Sequence, residues 1–82
     1  MMLSENPHAQ IMYAIELRTL KHYIVSLITG TYESAAKCLE QIEAICKDTH
    51  SEKLKDMYQR CREDYEMFLE EINSAERELG TQ

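Results

Sequence analysis

The chain is poor in the residues that build tight turns. Its 82 residues include two glycines, one proline and no tryptophan. An all-β sandwich or barrel needs glycine and proline at its many turns, so this composition excludes that fold class. The length allows one small hydrophobic core, because chains divide into separate cores only when they are much longer. We therefore expect a single all-α domain over residues 1–82.

The sequence also lacks the motifs of metal binding and catalysis. Its three cysteines form no Cys-x-x-Cys pair, and its three histidines form no His-x-x-x-His pair. These are the spacings at which a turn or a helix brings two metal ligands together. A glycine-rich phosphate-binding loop is absent as well. We expect no metal, no cofactor and no enzymatic activity.

The cysteines bear on the cellular compartment. Cys38, Cys46 and Cys61 are odd in number and lie in segments of apolar periodicity, which favours reduced, buried thiols over disulfides. The longest uncharged stretch, residues 22–32, is eleven residues long and is too short to span a bilayer. The N-terminus has Glu5 and Pro7 where a signal peptide would have basic residues before an apolar run. We expect a cytoplasmic protein with no membrane partner.

Apolar spacing predicts the first two helices. Asn6 and Pro7 suit the cap and first position of a helix over residues 7–29. Its apolar stripe comprises Tyr13, Leu17, Leu20, Ile24 and Leu27. A second helix over 32–47 has a stripe of Tyr32, Ala35, Leu39, Ile42 and Cys46, flanked by Ala36, Cys38 and Ile45. Both stripes follow the helical period.

The third segment carries the strongest periodic signal. Ser51 is the expected N-cap of a helix over residues 52–79. Spacings of four and three residues alternate through its apolar positions without interruption, which is a heptad seam. The seam comprises Leu54, Tyr58, Cys61, Tyr65, Phe68, Ile72, Ala75 and Leu79. The helix is expected to end near Gly80, a natural C-cap.

Gly30 decides between two arrangements of these helices. If Gly30 breaks the chain, three helices form an antiparallel bundle, which we favour. If the first helix continues through Gly30, a rod of about 40 residues, roughly 60 Å long, pairs with a shorter helix. About a third of that rod would then lack a partner, so this long two-helix hairpin would have to dimerise.

The net charge of −6 belongs to one end of the chain. Residues 1–62 hold eight acidic and eight basic side chains, whereas residues 63–78 hold seven acidic and one basic. Such an acidic end repels nucleic acid and anionic membranes. It is either a solvated helix face or a surface for a basic partner. The candidate contacts are Glu63, Glu66, Glu70 and Glu71.

Apolar side chains outside the stripes indicate a binding surface. Ile11 and Ile15 fall about 180° around the first helix from Tyr13. Met57, Met67 and Leu69 flank the seam of the third helix. These five residues either pack at the edges of the bundle or form a face for a partner or a second copy, a role that suits flexible methionines.

The segment after the first helix resembles a known family. Gly30, Tyr32 and Ala35 have the spacing found at the first helix turn of MIT-type three-helix adaptor modules, with a looser likeness to TPR helix pairs. The resemblance covers three residues, and we do not assign the chain to either family. It implies a long third helix and a groove that binds the helical tail of a partner.

Protein–protein interaction is the function that these observations favour. We expect an adaptor, small chaperone or regulator that binds an amphipathic helix or a basic surface of another protein. A nucleic-acid-binding regulator that uses Lys53, Lys55, Arg60 and Arg62 is the alternative. A third possibility is a structural homodimer in which the seams of the third helices pair.

Overall fold

The computed structural model describes residues 7–80, and this part of the chain is helical with no strand. The four helices are α1 (Pro7–Thr29), α2 (Ala35–Asp48), α3 (Glu52–Arg60) and α4 (Tyr65–Gly80). The all-α class is confirmed, but the expected count of three helices is not. The predicted cap at Asn6 lies outside the described residues.

Gly30 ends α1. Its φ of 70° is left-handed, a conformation that glycine adopts without steric cost. The N–H of Gly30 donates to the carbonyl of Leu27, at 3.3 Å, and the N–H of Thr31 donates to the carbonyl of Ser26, at 3.0 Å. This pair of bonds is a Schellman cap, which satisfies carbonyl groups at the helix end. The long two-helix hairpin, which needs a continuous helix here, is therefore wrong.

A short loop, residues 31–34, leads into α2. The Ser34 hydroxyl accepts a hydrogen bond from the N–H of Lys37 and caps the helix, so α2 begins at Ala35 rather than at the predicted Tyr32. Tyr32 instead packs edge-on against Tyr23 of α1, with ring centroids 5.8 Å apart. At the far end of α2, Ser51 caps α3 by accepting from the N–H of Leu54, which confirms its predicted role.

The predicted third helix is two helices. At Cys61 the backbone leaves helical geometry, with φ −116° and ψ 21°. Helix α4 starts after Asp64, whose carboxylate accepts from the N–H of Met67 at 3.0 Å and whose carbonyl accepts from Phe68. Asp64 is thus an N-cap in the middle of the heptad seam. The expectation of one helix over 52–79 missed this cap because the apolar spacing continues across it.

All four helices contribute to one hydrophobic core. Helix α1 packs against both α2 and α4, while the short α3 contacts α2 and α4. The buried apolar residues are Leu17, Leu20, Ile24, Cys38, Ile42, Cys46, Leu54, Met57, Cys61, Phe68, Ile72 and Ala75. The stripe predicted for α1 is confirmed. In α2 the buried side is rotated from the prediction, because Cys38 is fully buried whereas Ala35 is exposed.

The seam predicted for the third helix lies inside this core. Phe68 and Ile72 are fully buried, and Tyr58 and Tyr65 pack against the core from its edge. These side chains bury their apolar surface within one chain. A homodimer formed by pairing these seams between two chains would have to compete with the contacts that the seam makes within one chain.

The two glycines provide a matched test of the α1 cap. A Cβ atom at either Gly30 or Gly80 would meet no atom within 4 Å, so substitution by alanine tests backbone conformation alone. We expect Gly30→Ala to lower the free energy of unfolding by about 1–2 kcal/mol, because alanine disfavours positive φ. Gly80→Ala, in helical backbone, should leave it unchanged or raise it. Urea unfolding of both variants measures the difference, and equal effects would contradict the role of Gly30.

Candidate protein-binding surface

One side of α1 faces away from the bundle. The exposed residues there repeat at spacings of four and three, so they form a line along the helix. We call this line the α1 outward face: Ile11, Ile15, Arg18, His22 and Val25. Met12 and Ile28 are exposed at its edges. Ile11 is 58% exposed and Ile15 53%, as the sequence predicted.

The surface arises because α1 needs only one buried side. Leu17, Leu20 and Ile24 face α2 and α4 and are fully buried. The opposite side has no neighbouring helix in the described part of the chain. The outward positions of an ordinary surface helix are expected to be polar, yet Ile11 and Ile15 are apolar. Large apolar side chains exposed along one side of a helix are typical of an interaction site.

The α1 outward face has no carboxylate. The single acidic residue of α1, Glu16, lies on another side and accepts a hydrogen bond from the Thr49 hydroxyl at 2.6 Å. Arg18 is exposed and forms no ion pair with any residue from 7 to 80. Lys21, at the border with α4, pairs with Glu76 at 3.1 Å. Within the part of the chain that the structure describes, the face therefore combines apolar side chains with one arginine that forms no ion pair.

The structure corrects part of the predicted apolar contact set. Met57 is 5% exposed and belongs to the core, so it offers no free surface. Leu69 is half-buried and packs against the core. Met67 is 40% exposed, in keeping with the prediction, but it lies on α4 rather than on α1. The five predicted apolar contacts thus do not form one patch.

Met67 lines a separate groove of about 820 Å³, which lies between α3, α4 and Tyr13 of α1. Its walls are mainly polar and charged, with both acidic and basic side chains. Burial, and then the negative charge of Glu78, raises the pKa of the Tyr13 hydroxyl. The groove thus lacks the apolar lining that a partner helix prefers.

The four predicted acidic contacts differ in their surroundings. Glu63, Glu66 and Glu70 are exposed and stay candidates for contact with a basic surface. Glu71 is bound by Arg60, whose Nη1 atom lies 2.9 Å from its Oε2 atom. The Arg60 guanidinium also donates to Asp56 of α3 at 3.1 Å. Hydrogen bonds to Glu71 and then to Asp56 raise the pKa of Arg60, and the bonds to Glu71 link α3 to α4.

Nearby carboxylates partly neutralise the basic cluster that was predicted as a nucleic-acid surface. This cluster comprises Lys53, Lys55, Arg60 and Arg62. Lys55 lies 3.9 Å from Glu52, and Arg60 is shared between two carboxylates. Arg62 lies over the ring of Tyr58, 5.9 Å from its centroid. Phosphate binding would have to compete with these carboxylates. The predicted nucleic-acid surface thus has less free positive charge than its residue types suggest.

The three cysteines are free, buried thiols, as expected. The Sγ atom of Cys38 donates to the carbonyl of Tyr23 at 3.1 Å. Burial raises the pKa of Cys46 to about 12, assisted by the charges of Glu16 and Glu43. Burial also raises the pKa values of the other two thiols. A protonated thiol is a poor nucleophile and a poor metal ligand. Residues 7–80 contain no cluster of side chains arranged to hold a metal ion.

Sequence reasoning missed Arg18, His22 and Val25 as members of the surface. The signal was the alternation of four and three that starts at Ile11 and Ile15 and continues through these three residues. It was overlooked because Arg18 and His22 interrupt the apolar character of the line. Met12 and Ile28, exposed at its edges, are out of phase with it and carry no such signal.

The pKa of Cys46 predicts a loss of stability at high pH. The unfolded chain ionises this thiol near pH 9, whereas the folded chain keeps it protonated up to about pH 12. The buried, protonated thiol makes its full contribution to the free energy of unfolding below pH 9. This contribution is lost between pH 9 and 12, by up to about 1.4 kcal/mol per pH unit. Urea unfolding from pH 8 to 11 should show a shallower decline for Cys46→Ala than for the wild type. Parallel declines would contradict the assignment.

The two methionines differ enough in burial to be tested as a pair. Met57→Ala should lower the free energy of unfolding by about 2–3 kcal/mol, because it leaves a cavity in the core. Met67→Ala removes an exposed side chain and should change it by less than about 0.5 kcal/mol. Thermal or urea unfolding measures both. If Met57→Ala lowers the free energy of unfolding as little as Met67→Ala does, Met57 is not a core residue.

Among residues 7–80, no helix is both long enough and apolar enough to cross a membrane. The chain matches no protein-family model, and neither a curated protein nor a solved structure shows significant similarity to it.

Proposed function

We propose that this protein is a non-enzymatic interaction module that binds a helix of another protein on the α1 outward face. The exposure of Ile11 and Ile15 on the helix side opposite the core is the observation that carries the proposal. Exposed isoleucines on one line of a helix offer the i, i+4 anchors by which helices recognise each other. Adaptors, small chaperones and regulators all work through contacts of this kind.

The rigid setting of α1 supports this role. Its inner side is held by the core, and its C-terminal end is closed by the cap at Gly30. The surface is therefore ordered before a partner arrives, which reduces the entropy lost on binding. The alternative of nucleic-acid binding has weaker support, because carboxylates already occupy Arg60 and Lys55.

The proposal is tested by replacing the two isoleucines together. Ile11→Ser with Ile15→Ser should change the free energy of unfolding by less than about 1 kcal/mol, because both side chains are exposed. The same variant should lose a partner that the wild-type chain captures from extracts of its source cells. Urea unfolding and affinity capture followed by mass spectrometry measure the two effects.

Ala44→Ser is the matched control, since Ala44 is an exposed apolar residue on α2. It should retain both stability and capture. If the double variant loses several kcal/mol, the isoleucines belong to the core. If it captures the same proteins as the wild type, α1 is not the binding surface.

A further inference from the structure

We infer that the partner helix on the α1 outward face has an apolar stripe flanked by carboxylates, and that it belongs to another protein rather than to a second copy of this chain. The inference rests on the proposed function and specifies the chemistry of the partner. Its grounds are the shape of the face, its charge, and the charge on the rest of the chain.

The shape of the face fits one helix. The line runs over 15 residues, from Ile11 to Val25, and is about 21 Å long along α1. Its alternating spacing of four and three is the geometry in which two helices pack at a small crossing angle. The exposed side chains at its edges, Met12 and Ile28, can contact the flanks of a helix laid along this line.

The charge of the face selects acidic flanks. Arg18 lies at the middle of the line, and no carboxylate stands three or four residues away from it along α1. From the packed neighbours, Glu76 of α4 is engaged by Lys21, and Thr49 engages Glu16. A partner carboxylate is therefore the group that complements Arg18.

A second copy of this chain would place an arginine, not a carboxylate, against Arg18. In a two-fold antiparallel pair of α1 helices, alignment of Ile11 with Val25 of the other copy places the two Arg18 residues opposite each other. A parallel two-fold pair also places Arg18 against Arg18. Neither arrangement supplies a carboxylate to the contact, and like charges that face each other disfavour association.

The other surfaces of a second copy also match the α1 outward face poorly. Among residues 7–80, Met67 is the only large apolar side chain outside α1 that is substantially exposed. The exposed side of α4 is acidic, as Glu66 and Glu70 illustrate, and it lacks an apolar line. This acidic helix repels a carboxylate-flanked partner, which confines that partner to α1. An anionic bilayer, being broad and flat, would meet the same repulsion from a chain of net charge −6.

Two synthetic peptides that differ only in charge test the inference. Each is an amphipathic helix of three heptads with leucine at the a and d positions; one has glutamate and the other lysine at the flanking e and g positions. Like charges on the flanks oppose self-pairing of either peptide. Fluorescence anisotropy with the full chain at about 0.15 M salt, which screens the distant carboxylates of α4, should give at least about tenfold tighter binding of the glutamate peptide, with the preference reduced by further salt.

Three variants connect that preference to the face. Arg18→Glu should abolish the preference for the glutamate peptide. Lys37→Glu is its matched control, because it changes the net charge equally on exposed α2 and should keep the preference. Ile15→Ser should weaken the binding of both peptides.

The outcomes separate the inference from the proposed function. Equal affinity for both peptides, with sensitivity to Ile15→Ser, overturns the inference and leaves the proposed function standing. Failure of both peptides to bind overturns both. A dimer in analytical ultracentrifugation that Ile15→Ser dissociates identifies a second copy as the occupant. Co-sedimentation with phosphatidylglycerol vesicles that Ile15→Ser abolishes identifies a membrane instead. Each of the last two results overturns the inference.

Discussion

The left-handed backbone at Gly30 is the constraint on which the packing of the chain depends. It closes α1 with two carbonyl-directed hydrogen bonds and lets the chain reverse before Ser34 caps α2. Because of this reversal, α2 packs back against the buried side of α1, and α4 can cover the remaining part of that side. A helix that continued through Gly30 would carry the apolar stripe of α2 away from α1. The uncovered outward face of α1 is the other consequence, since both neighbours lie on its inner side.

A second break, at Asp64, shows what a heptad pattern does and does not report. The apolar positions keep their spacing from Leu54 to Leu79, and most of them are buried. The helix nevertheless ends at Arg60 and restarts at Tyr65. Each half needs a buried stripe of its own, so the pattern persists although the hydrogen-bonded helix does not. The break allows α3 to contact α2 while α4 packs along α1.

Ion pairs distribute the charge of the folded chain differently from that of the sequence. Arg60 ties α3 to α4 through Glu71, and Lys21 ties α1 to α4 through Glu76. These contacts use carboxylates from the acidic end and cations from the neutral part of the chain. Within residues 7–80, what remains is an acidic exposed side of α4 and an α1 outward face whose Arg18 forms no ion pair. The two surfaces therefore carry charges of opposite sign.

Sequence alone determined the features that depend on neighbours along the chain. The helical class, the buried side of α1, the cap at Ser51 and the exposure of Ile11 and Ile15 follow from spacing and from local hydrogen bonding, and the structure confirms them. Tertiary structure decided the features that depend on distant contacts. It buried Met57, and it joined Arg60 to Glu71 across eleven positions. A flanking residue is buried or exposed according to which helix lies beside it, and the positions of neighbouring helices are not contained in the period of any one segment.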